Sequence, residues 1–148
     1  MSDKSVFTDE EWLAVSEAPL LSAMAMAPAG PHGPISMVKE STASAKALAM
    51  PPDHGAANAL IAEIAEVARS KEARKDAKHH KEKTIPLMID SLLADLPTAA
   101  AALTKLPEDE AAGVRAWLVD TAQAIADASK GVSPAEQGVI DRIKAIFA

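Results

Sequence analysis

The residues with the strongest claim to chemistry are histidines and carboxylates placed near breaks in the chain. His79 and His80 are adjacent, and neighbours on a helix point about 100° apart, too far round to grip one ion. Asp76 and His80 have the i, i+4 spacing that would serve, but Lys75, Lys78 and Lys81 surround them with positive charge that repels a cation. That stretch reads as a solvated face and not as a zinc site. His32 lies in a Pro/Gly-rich loop and His54 near a helix start, where either imidazole could act as a general acid or base. Neither has a partner visible in the sequence, so both read as exposed loop histidines. With no Cys there is no thiol nucleophile, thiolate ligand or disulfide. No Gly-x-Ser-x-Gly elbow, phosphate-cradling glycine loop or His-Glu-x-x-His helix occurs either. An enzyme with an unrecognised active site is thus an alternative without a catalytic residue to name.

The elements that must position these groups are helices. Ala supplies 33 of the 148 residues, against two Trp, two Phe and no Tyr, which starves strands of their preferred residues. Ala loses no side-chain entropy on entering a helix, and its size lets helix axes approach closely. The composition predicts an all-α fold, a single-domain bundle of seven or eight helices over residues 1–148. Residues 71–83 form an exposed charged segment, with six Lys or Arg, three acids and no large apolar residue. That segment could make a purely electrostatic contact with an acidic partner, a membrane surface or nucleic acid.

Prolines and caps mark the breaks. Thr8 and Glu11 form a capping-box pair, with Phe7 placed to staple onto Trp12. A short first helix is expected, then a second beginning near Pro19 and stopped by Pro28. After the loop at 28–34, a helix over about 36–49 is followed by one that Asp53 helps to cap, with Leu60, Ile61, Ile64, Val67 and Ala68 at helical spacing. Met88, Ile89, Leu92, Leu93 and Leu96 make another stripe, interrupted by Pro97, and residues 98–105 a short Ala-rich helix. Val114, Trp117, Leu118, Thr121, Ala122 and Ile125 give the cleanest amphipathic pattern, opened by Glu108, Asp109 and Glu110 at its positive end. Ser133, Pro134 and Glu136 then spell a cap, a first-turn proline and a capping-box acid. The last helix should bury Val139, Ile140, Ile143, Ile146 and Phe147.

A net charge of -6 and a pI near 5.2 argue against specific nucleic-acid binding, which draws its affinity from clustered Lys and Arg. No export signal is indicated, and the most apolar stretch, 18–29, is short and holds Pro19 and Pro28; a bilayer needs about 20 apolar residues. The expectation is a cytoplasmic protein with protein partners and no transmembrane segment. A structural homo-oligomer that packs residues 98–105 against a second copy is a further alternative.

Residues 27–40 and 126–136 share an order: helix, Gly-containing loop, Ser, then Glu opening the next helix. An internal duplication of helical hairpins would produce it. The second unit, Ala126-Asp127, Gly131 and Ser133-Pro134-Ala135-Glu136 leading into Val139, Ile140 and Ile143, resembles the tellurite-resistance TerB-like helical family over residues 122–143. That resemblance implies an all-helical, internally duplicated fold and a role in stress response or metal resistance. It also implies a divalent cation held on acidic groups, with Asp127 as the turn Asp, Glu136 as the helix-opening Glu, and Glu40 as its counterpart in the first unit. Hard cations require several oxygen ligands.

Overall fold

The longest of the described helices is Asp9–Ala29, and the other described helices pack around it. In the computed structural model, which describes residues 3–29, 53–68, 70, 85–127 and 134–148, this helix (α1) touches every other α-helix described. These are α2 (Asn58–Ala68), α3 (Ile85–Ala94), α4 (Leu96–Leu103), α5 (Glu108–Asp127) and α6 (Pro134–Ile146), with 3-10 turns at Lys4–Val6 and Gly55–Ala57. Among the described residues there is no strand, and the protein is all-α.

The sequence places a break near Pro19, yet α1 runs straight through it as 21 residues, about 30 Å at 1.5 Å per residue. An interior proline removes one helix hydrogen bond and costs about 3 kcal/mol. Against that, Val15, Ala18, Leu21, Ala25 and Met26 are all buried on both sides of Pro19. Completely burying one large apolar side chain contributes about 1.5–3 kcal/mol, so packing along the whole length outweighs the local defect.

The start of α1 follows its sequence cues. The Thr8 backbone N–H donates to Glu11 Oε1 at 2.9 Å, and the Glu11 N–H donates to Thr8 Oγ1 at 3.2 Å. Phe7 and Trp12 stack with ring centroids 6.0 Å apart. Lys105, in the turn after α4, adds an ion pair to the same Glu11 oxygen, so the box also fastens α4 to α1.

Helices α3 and α4 are separated by Asp95 alone, with Pro97 in the first turn of α4, where its missing N–H has no helical acceptor to lose. The six α5 positions predicted for the core, from Val114 to Ile125, are all buried, and Trp117 is completely so. On α6, Val139, Ile140 and Ile143 are buried and Phe147 closes the end, while Arg142 reaches Asp90 of α3 at 2.8 Å. No described helix is long and apolar enough to cross a membrane.

Candidate functional site

The chemistry-bearing pair that the fold brings together is His54 and Asp120. Its construction begins with Asp53, whose Oδ1 accepts from the Gly55 N–H at 2.9 Å and from Asn58 Nδ2 at 2.7 Å. Asn58 returns a bond, its Oδ1 accepting from the His54 N–H at 2.7 Å. Gly55 takes the left-handed conformation at φ 62°, open to glycine without the steric penalty of a Cβ. These contacts fold residues 53–58 into a tight turn ahead of α2. The Gly55 N–H, then the Asn58 amide, hold the Asp53 carboxyl below the usual carboxylate range, because both donate to its charged form.

The turn seats on α5 at Gly113. A Cβ at that position would lie 2.5 Å from Ala57 Cβ and 2.9 Å from the His54 carbonyl oxygen, so only glycine admits this approach without a shift. Two helical turns on, at i+7, Asp120 presents Oδ2 at 3.2 Å from His54 Nε2. The imidazole is inside, with its side chain 8% exposed, whereas Asp120 is 59% exposed. The reading of His54 as an exposed loop histidine without a partner is corrected: packing of the turn onto α5 carries the ring under cover and onto a carboxylate. An imidazole fixed by a carboxylate has a set orientation and tautomer, as in general acid–base sites. Nothing local in the sequence announces Asp120, which lies 66 positions away; the only nearby signal is the Asp-His-Gly turn chemistry.

The residues implied by the TerB-like resemblance are placed differently. Asp127, the last residue of α5, is exposed, and its Oδ1 accepts from Gln123 Nε2 at 3.1 Å. Glu136, in the first turn of α6, is wholly buried. Residues 128–133, including Gly131 and Ser133, lie outside the described residues, as do Glu40, His32 and the charged segment 71–83. Among the described residues, no three His, Asp or Glu are grouped to hold a metal ion. No family model, curated protein or solved structure matches the chain.

Proposed function

We propose that this protein is a non-catalytic helical module acting through protein contacts in the cytoplasm, TerB-like in its stress-response or metal-resistance role. In this reading the bundle comprises seven or eight helices built from a duplicated hairpin. The observation that supports the contact role is that, among the described residues, the ion pairs lie apart from one another in structural positions. Glu11 caps α1 and meets Lys105, Glu108 pairs with Arg115, Asp90 with Arg142, and His54 with Asp120. Three of these pairs join different parts of the bundle and the Glu108–Arg115 pair lies within α5, whereas an active site requires such groups to converge on one reacting atom. Leu13 and Leu87 meanwhile stay half-exposed. A photo-crosslinking residue placed at position 13 or 87 in cells should give discrete protein adducts that a control at exposed Ala124 does not; identical patterns at all three positions would sink the contact reading.

A divalent cation is part of the same proposal, with Asp127 and Glu136 as carboxylates of the second hairpin unit and Glu40 as the counterpart in the first. What favours it is the complete burial of Glu136 in the first turn of α6, since buried carboxylates are retained where a cation or a set of donors meets them. Calorimetric titration with Ca²⁺, Mg²⁺ and Mn²⁺ separates the two. Heat of binding and a raised Tm, both reduced in Glu136→Gln and Asp127→Asn, are expected; no heat at millimolar metal would leave Glu136 as a helix cap.

A further inference from the structure

We draw no further inference here: the strongest candidate, the surface patch on α1 where half-exposed Leu13 follows exposed Asp9 and Glu10, carries nothing because nothing in the structure shows what covers it.

Discussion

His54 Nε2 lies 3.2 Å from Asp120 Oδ2, so the turn that leads into α2 is fastened to the middle of a helix far along the chain. With one partner buried and the other mostly in water, the attraction is screened, and the pair is worth about 0.5–1 kcal/mol. Asp120→Asn should lower the urea midpoint by a corresponding small amount. His54→Ala should lower it further, because a buried ring is lost as well. A double-mutant cycle measures the coupling directly; a value of zero would show that ring and carboxylate are neighbours without mutual stabilisation.

Gly113 and Gly138 are both helical glycines, and alanine should act oppositely at the two. Alanine in a helix interior gains about 0.5–1 kcal/mol over glycine. At Gly138 the added Cβ meets nothing within 4 Å, so Gly138→Ala should stabilise by that amount. At Gly113 it would press on Ala57 Cβ and the His54 carbonyl, and neither a backbone oxygen nor a packed methyl moves freely. Forcing that contact costs about 1–3 kcal/mol, so Gly113→Ala should destabilise overall. Chemical denaturation of the two variants side by side provides the check, and stabilisation by both would show that the turn is not seated on α5.

The contrast between these glycines shows what the sequence carried and what it did not. Periodicity found the buried face of α5 from Val114 to Ile125 because 3.6-residue spacing is local. The capping box at Thr8 and Glu11 was legible for the same reason. Pro19 misled, since a proline's local cost is visible in sequence while the long-range burial that offsets it is not. His54 and Asp120 were illegible as a pair because their encounter depends on how a turn docks onto a helix, and Gly113 marks that docking only once the helices are assembled. Asp127 is the last residue of α5 and Glu136 lies in the first turn of α6, beneath the surface, a depth that cap spacing does not encode.

Acidification should loosen the N-terminal clamp. The Lys105 side chain, then the Thr8 backbone N–H, hold the Glu11 carboxyl below its usual range, because both favour the charged form. A group whose pKa is depressed on folding contributes stability that is present above its unfolded-state value and is lost as pH falls through the folded-state value. Protein stability should therefore decline as pH drops below the ordinary carboxylate range, and Glu11→Gln should flatten part of that decline while costing stability near neutrality. Unfolding midpoints from pH 7 down to about pH 3 test this; an unchanged acid limb in Glu11→Gln would place the loss elsewhere.

Trp117 completes the core at an unusual cost. The ring is completely buried, yet among the described residues its Nε1–H has no acceptor, and a buried donor left unmet costs about 1–3 kcal/mol. Trp117→Ala should destabilise by about 3–5 kcal/mol through the cavity it opens. Trp117→Phe also loses volume but removes the buried donor, and the two effects oppose one another, so it should destabilise less than Trp117→Ala. Near-UV circular dichroism together with urea unfolding would separate packing from stability. A Phe variant as unstable as the Ala variant would mean that the indole N–H contributes favourably to the folded state.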